Sequence, residues 1–250
     1  MARYNCLLID LDNTLLDFDA AERAALEKLY AAHGIPPLPE NFATYETINK
    51  ALWAQFERGQ IGRSKLLVRR FAQTLEALGM QGAPGCDPSA MNDEYLGYLA
   101  GCGPILPGAD EFLEEIAEVA TIAVISNGVL KAQKGRIADS GLEKYFDAVF
   151  VSEKMGCQKP QRRFFDAALK NLGVGNREKV LVIGDSLSAD IRGGIDAQLD
   201  TCWFNPAGLE NTTEWKPTYT VFGYEQLKPI IYGEDGMPDA ERKDRHRDGR

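Results

Sequence analysis

Six short, continuously apolar segments recur along this chain, and they constrain its fold more than any other feature. Apolar residues that follow one another without alternation predict strands buried on both faces, as in a parallel sheet. Helix-like segments separate most of them, and this alternation predicts a doubly wound, mostly parallel, Rossmann-like α/β fold. The strand segments are residues 4–9, 121–125, 148–151, 179–184, 200–204 and 219–222, and the helical segments are 109–119, 130–140, 160–172 and 188–197.

The first of these strands is followed by a long stretch of a different kind. Residues 18–104 contain no buried-strand run, but their apolar side chains recur every three or four positions, which is helical spacing. We therefore predict an all-helical cap domain at 18–104, inserted into an α/β core formed by 1–17 and 105–233. Asp19 and Glu22 are interpreted as a capping pair at the start of its first helix.

Charge balance and rare residue types exclude several classes of function. There are 28 Lys and Arg residues against 37 Asp and Glu residues, and the net charge of −9 argues against a nucleic-acid polymer as partner. No run approaches the roughly 18 apolar residues of a membrane helix, so we expect a soluble, cytoplasmic protein without a membrane partner.

Five cysteines without a C-x-x-C pair argue against a disulfide framework. With only two histidines, His33 and His246, an enzyme here must rely on carboxylates, hydroxyls and lysine. Residues 234–250 are predicted to form a charged, disordered tail.

Polar residues follow the predicted strands at their carboxyl ends, which is where open α/β sheets bind ligands. Four carboxylates at one sheet edge would repel one another unless a cation joined them, and ligation by oxygen alone favours Mg²⁺. A lysine, a hydroxyl and the backbone amides at a helix start can hold a phosphoryl group. One aspartate can then act as a nucleophile and a second as an acid and base. The residues are Asp10, Asp12, Ser126, Asn127, Gly128, Lys159, Asp185 and Asp190.

The order of these residues resembles that of the haloacid dehalogenase-like (HAD) hydrolase superfamily, and the resemblance covers about residues 4–232. The helical insert is similar to the family's C1-type cap. The family's true dehalogenases lack the second aspartate of the first motif, so Asp12 favours phosphoryl chemistry. The four motifs match Asp10-x-Asp12-x-Thr14, Ser126, Lys159 and Gly184-Asp185-x-x-x-x-Asp190.

The resemblance implies roles in catalysis and in phosphate binding. Asp10 would attack phosphorus and form an aspartyl-phosphate. Asp12 would protonate the leaving oxygen and then activate water against the phospho-enzyme. The phosphoryl oxygens would be held by Ser126, the Asn127 backbone and Lys159.

The resemblance also implies a magnesium site. The ion would bind Asp10, the backbone carbonyl of Asp12, and Asp185. Asp190 would be a further ligand or would orient one. The residues expected to support the surrounding loops are Thr14 and Gly128.

Within the superfamily, the chain is similar to noncanonical pyrimidine 5′-nucleotidases, which hydrolyse nucleoside monophosphates. The resemblance implies that the partner is a small phosphate monoester of this kind. Phe18, at the cap hinge, is the candidate substrate contact, whereas helical spacing explains Trp53 and Phe56 as core residues of the cap. The segments that carry the likeness are residues 10–18, 49–53 and 201–205.

Other functions stay open at this point. The chain can be a phosphatase for another small monoester, such as phosphoglycolate or a sugar phosphate, or a phosphomutase of the same fold. A catalytically idle binding protein is the alternative outside enzymes. A monomer and a homodimer are both compatible with the sequence.

Overall fold

A computed structural model describes residues 2–233 of the chain, and its central element is a six-stranded sheet in which all strands run parallel. The six predicted apolar segments all form strands, and the prediction of a doubly wound α/β fold is confirmed. The predicted tail at 234–250 lies outside the described residues. The strands are β1 (Cys6–Ile9), β2 (Thr121–Ser126), β3 (Ala148–Val151), β4 (Val180–Gly184), β5 (Asp200–Phe204) and β6 (Tyr219–Val221).

The strand order is β3-β2-β1-β4-β5-β6, so the chain changes direction across the sheet at β1. Every residue of β1 is buried, and its Leu8 pairs with Ala123 of β2 on one side and Val182 of β4 on the other. A position where the strand order reverses leaves a crevice at the carboxyl ends of the strands. The ends of β1, β2 and β4 therefore meet where a doubly wound sheet binds its ligands.

The described residues form two compact units. The α/β unit comprises residues 2–16, 105–127 and 142–233, and the helical unit comprises residues 17–104 and 128–141. The helical unit contains α1 (Phe18–Ala32), α2 (Pro39–Glu57), α3 (Arg63–Ala77), α4 (Pro88–Ala100) and α6 (Leu130–Ser140). The α/β unit contains α5 (Ala109–Ile116), α7 (Ser152–Met155), α8 (Arg162–Leu172), α9 (Arg192–Asp196) and α10 (Tyr224–Tyr232). None of the helices within residues 2–233 is both long enough and apolar enough to span a membrane.

The helix α6 differs from the sequence expectation, which placed residues 130–140 in the α/β core. In the structure this helix packs closely against α4 of the helical unit. A Cβ atom added at Gly135 would come within 2.5 Å of the Ala100 carbonyl oxygen. Glycine therefore permits a contact between these two helices that the alternation of strands and helices did not indicate.

The core of the helical unit is built from apolar and aromatic side chains on α1 to α4 and α6. Helix α1 begins after Asp17, whose carboxylate accepts a hydrogen bond from the backbone N–H of Ala20. The predicted capping pair of Asp19 and Glu22 is therefore wrong, because the cap lies two residues earlier. Phe56 is buried, and Trp53 packs edge-on against it with ring centroids 5.5 Å apart, as the core interpretation expects.

The segment after β4 also differs from the sequence expectation. A single helix was expected over 188–197, but the chain makes a π-helical turn at Leu187–Ile191 before α9. The carbonyl of Ser186 accepts hydrogen bonds from the N–H groups of both Asp190 and Ile191. Such wide turns occur at functional sites, and this one carries the fully buried Asp190.

Candidate active site

Asp10 lies at the carboxyl end of the central strand. Its backbone N–H donates to the carbonyl of Ile183 over 2.8 Å, so the pairing of β1 with β4 continues to this residue. The backbone of Asp10 is thus held as firmly as that of a strand residue. Asp10 is 6% exposed as a whole residue, and its side chain begins the polar edge of the sheet.

Lys159 is the cation that joins the carboxylates of this edge. Its ammonium group donates to Asp10 Oδ1 over 2.6 Å, to Asp190 Oδ1 over 2.7 Å and to the carbonyl of Ile125 over 2.9 Å. All three donors of the ammonium group therefore have an acceptor. Lys159 is 149 residues from Asp10 and 31 residues from Asp190 in the sequence, so only the folded chain brings these groups together.

The backbone of Lys159 is held by a reciprocal pair of hydrogen bonds with the Asn127 side chain. The N–H of Lys159 donates to Asn127 Oδ1, and Asn127 Nδ2 donates to the carbonyl of Lys159, each over 2.9 Å. The Lys159–Pro160 peptide bond that follows is cis. Only the backbone of Asn127 was expected to act at this site, so its amide side chain has an additional structural role.

The carboxyl groups of the site have raised pKa values. Burial raises the pKa of Asp185 to about 8, and the charge of Asp190 adds to this effect. Burial also raises the pKa of Asp10 and of Asp190, while Lys159 opposes both shifts. Burial would lower the pKa of Lys159, but Asp10 and Asp190 outweigh it and raise that pKa. If all of these carboxyl groups were ionised, the site would carry more buried negative charge than one ammonium group compensates.

Three of these carboxylates could hold a metal ion together. One oxygen from each of Asp10, Asp185 and Asp190 lies within 4.8 Å of the other two. Among residues 2–233, these three form the group of potential metal ligands. A donor set of carboxylate oxygens matches the preference of Mg²⁺. The uncompensated negative charge is the second reason why a divalent cation fits here.

The first motif forms a tight loop between β1 and the helical unit. Asp12 lies two residues after Asp10 and is partly buried, and its charge adds to the raised pKa values of Asp10 and Asp185. Asn13 adopts a left-handed backbone with φ of 55°, which asparagine tolerates better than most residues. Thr14 is fully buried, and its Oγ1 accepts a hydrogen bond from the Asp185 N–H over 3.1 Å.

The remaining predicted residues occupy different places. Ser126 ends β2 and is buried at the same edge of the sheet as Asp10. Gly128 and Phe18 belong to the helical unit. A Cβ atom at Gly128 would lie 2.5 Å from Gln133 Nε2, and the Arg136 guanidinium lies 5.3 Å from the centroid of the Phe18 ring. The role of Phe18 as a substrate contact stays a prediction.

Two aromatic residues at this edge were not expected from the sequence. The indole N–H of Trp203 donates to the carbonyl of Asp185 over 2.7 Å. The hydroxyl of Tyr224 donates to the carbonyl of Thr14 over 2.6 Å. The segment 201–205 was noted only for its resemblance, and α10 was not predicted, because Pro229 interrupts its helical pattern.

Comparison with known proteins shows which family the chain is similar to. The haloacid dehalogenase-like hydrolase family matches residues 4–198 of the chain. The pyrimidine 5′-nucleotidase PynA of Streptococcus pneumoniae is 40% identical over 225 residues, which cover 90% of this chain and 93% of that protein. The pyrimidine 5′-nucleotidase YjjG of Escherichia coli is 32% identical over 229 residues, or 92% and 98% of the two chains. A structure of Bacillus subtilis YfnB bound to magnesium superposes with a TM-score of 0.86 at 37% identity, covering 91% of this chain and 98% of that one.

Proposed function

The chain belongs to the haloacid dehalogenase-like hydrolase family, and we propose that it is a Mg²⁺-dependent phosphatase of pyrimidine nucleoside 5′-monophosphates. It is a phosphoric monoester hydrolase, and the nucleotidases among its relatives support this substrate class. The chemistry rests on one observation above all. The Asp10 carboxylate lies at the end of the central strand, next to Lys159 and two further carboxylates, at the ligand-binding edge of a doubly wound sheet.

In the first step, one carboxylate oxygen of Asp10 attacks the phosphorus atom of the substrate. A bond forms between this oxygen and phosphorus, and the bond from phosphorus to the ester oxygen breaks. The leaving oxygen takes a proton from the carboxyl group of Asp12 and departs as the nucleoside. Asp10 then carries the phosphoryl group as an aspartyl-phosphate.

In the second step, the carboxylate of Asp12 accepts a proton from a water molecule. The water oxygen attacks phosphorus, and the bond between phosphorus and Asp10 breaks. Inorganic phosphate leaves, Asp10 is again a free carboxylate, and Asp12 again carries the proton that the next cycle needs. The two aspartates thus divide nucleophilic and acid–base work between them.

The other residues hold the phosphoryl group and balance its charge. Lys159, the Ser126 hydroxyl and the Asn127 backbone N–H would bind its oxygens. Asp10, Asp185 and Asp190, with the backbone carbonyl of Asp12, would hold Mg²⁺. The bound ion would offset the negative charge that carboxylates and phosphate bring to one place.

Phosphate release from a substrate panel tests this function. The panel contains dUMP, dTMP, UMP, AMP, phosphoglycolate and glucose 6-phosphate, each measured with Mg²⁺ and with a chelator. We expect release that requires Mg²⁺ and that is fastest with pyrimidine nucleotides.

Each other outcome corrects a different part of the proposal. Mg²⁺-dependent release that favours phosphoglycolate or a sugar phosphate would keep the mechanism and overturn the substrate class. Equal release in the presence of chelator would overturn the metal requirement. No release from any substrate would contradict the phosphatase function and would favour a mutase or a binding protein.

A further inference from the structure

The backbone of Asp185 is held from both sides by side chains of other elements. Its N–H donates to Thr14 Oγ1 over 3.1 Å, and its carbonyl accepts the indole N–H of Trp203 over 2.7 Å. Thr14 is fully buried and Trp203 is 5% exposed, so neither hydrogen bond competes freely with water. Asp185 follows the last residue of β4, where the regular pairing of the sheet ends. These two side chains therefore replace the sheet in holding this residue.

A third hydrogen bond extends the same support. The hydroxyl of Tyr224 donates to the carbonyl of Thr14 over 2.6 Å. The ring of Tyr224 stacks on Phe204 with centroids 4.9 Å apart and on Phe112 with centroids 5.2 Å apart. Phe204 follows Trp203 on β5. The side chains of Trp203 and Tyr224 are therefore both anchored on this strand. Asp185 is thus connected to β5 directly and to α10 through Thr14.

Support of this kind matters because Mg²⁺ requires nearly ideal ligand geometry. Groups that orient a metal ligand set its direction, and their loss typically weakens metal binding by about 10–100-fold. A single methylene group joins the carboxylate of Asp185 to its backbone. Because both the N–H and the carbonyl of Asp185 are hydrogen-bonded, its backbone is fixed. The carboxylate therefore has little freedom to move away from Asp10 and Asp190.

We infer that Trp203 and Tyr224 are positioning residues for the divalent-cation site, acting on Asp185 through its carbonyl and through Thr14. This inference rests on the proposed function, because it requires that the three carboxylates bind a cation. Neither aromatic residue touches the phosphoryl group in this assignment. Each holds the loop that presents a ligand.

The experiment measures Mn²⁺ binding to metal-free protein without substrate, by electron paramagnetic resonance of the free ion. Mn²⁺ serves as the probe because it prefers the same oxygen donors as Mg²⁺. Trp203→Phe removes the indole N–H and keeps an aromatic ring, and Tyr224→Phe removes one hydroxyl. The matched control is Tyr4→Phe, which removes a hydroxyl bonded to Asp200 at the opposite end of the strands.

We expect Trp203→Phe and Tyr224→Phe to raise the Mn²⁺ dissociation constant by about tenfold. Tyr4→Phe should leave it unchanged, although it also loses a hydrogen bond in the same unit. Amide hydrogen exchange of residues 184–190 in the metal-free state gives a second readout. Exchange there should accelerate in the two test variants and not in the control. Excess Mg²⁺ should restore kcat in both test variants.

Two results would overturn the inference, and they are distinguishable. If the wild-type protein binds Mn²⁺ and both test variants bind it equally well, the support by Trp203 and Tyr224 is wrong while the metal site stands. If the wild-type protein binds no Mn²⁺, the metal requirement of the proposed function fails, and the inference fails with it. Should Trp203→Phe not fold, Tyr224→Phe decides, because it removes a single oxygen atom.

Discussion

The ammonium group of Lys159 donates to the carboxylate of Asp10 over 2.6 Å, and both side chains are nearly inaccessible to solvent. Asp190 shares the same ammonium group over 2.7 Å. A buried ion pair contributes modestly when intact, but removal of one partner leaves an uncompensated charge in a medium that solvates it poorly. The stability of the α/β unit and its chemistry therefore both depend on the ammonium group of Lys159.

Replacement of Lys159 by methionine should abolish hydrolysis and also destabilise the fold. The variant keeps the length of the side chain but leaves Asp10 and Asp190 without their cation. We expect the free energy of unfolding in urea at neutral pH to fall by about 3–5 kcal/mol. Lys228→Met is the matched control, because Lys228 pairs with Glu115 over 2.7 Å in a more exposed place and should cost about 0–1 kcal/mol. Equal losses in the two variants would contradict the special role of the buried cation.

Replacement of Asp10 by asparagine should separate chemistry from stability. The amide cannot act as the nucleophile, so kcat should fall by about a thousandfold or more. Stability in urea should not fall, because the neutral group relieves repulsion from Asp185 and Asp190 while Lys159 keeps its bond to Asp190. Asp166→Asn, which removes a surface partner of Arg177, should keep wild-type turnover. Wild-type hydrolysis by the Asp10 variant would exclude this residue as the nucleophile.

The helical unit contains a buried carboxyl group that should make its stability depend on pH. Glu22 accepts hydrogen bonds from Asn49 Nδ2 over 2.9 Å and from the Tyr95 hydroxyl over 3.2 Å. Burial raises the pKa of Glu22 to about 7, although the nearby Arg70 charge lowers it. The neighbouring carboxylates, which add to the shift, are Glu46 and Asp19.

The sign follows from where the proton binds more tightly. Between the ordinary pKa of 4.5 and the raised value of about 7, the folded protein keeps the Glu22 proton and the unfolded chain loses it. Stability therefore falls as pH rises through this window, by at most about 3 kcal/mol, and this carboxyl adds no further change above it. Urea denaturation from about pH 4.5 to about pH 8 should show this loss in the wild type and a smaller one in Glu22→Gln. The exposed Glu76→Gln on α3 is the control, because Glu76 is not among the groups that shift the pKa of Glu22. A profile of Glu22→Gln that parallels the wild type would refute the prediction.

The contact between α4 and α6 can be tested with two glycines. Gly135→Ala places a Cβ atom 2.5 Å from the carbonyl oxygen of Ala100, so it should cost about 1–3 kcal/mol of unfolding free energy. Gly97→Ala, on the exposed face of α4 with no atom within 4 Å, should stabilise the protein by up to about 1 kcal/mol. If chemical denaturation finds both variants equally stable, the close approach of the two helices is wrong.

Local signals in the sequence were sufficient where the physical cause is local. Continuous apolar runs predicted all six strands, because a strand buried on both faces needs apolar side chains at every position. The edge strand β6 departs from this reason, since only its Val221 is buried. The same reasoning was wrong for residues 188–197, where the hydrogen bonds to the Ser186 carbonyl widen the turn. It was also wrong for the start of α1, since Asp17 and Asp19 are both acceptable caps by residue type and only the backbone path selects between them.

The sequence by itself determined the fold class and the order of polar residues at the strand ends, since both follow from patterns within a few residues of one another. Only the tertiary structure decided that Lys159 joins Asp10 to Asp190, that Asn127 holds the backbone of Lys159, and that Trp203 and Tyr224 hold the peptides of Asp185 and Thr14. The physical reason is that each of these contacts links residues far apart in the chain. A hydrogen bond needs atoms within about 3 Å and a suitable angle, and spacing along the sequence does not define such distances until the sheet has formed.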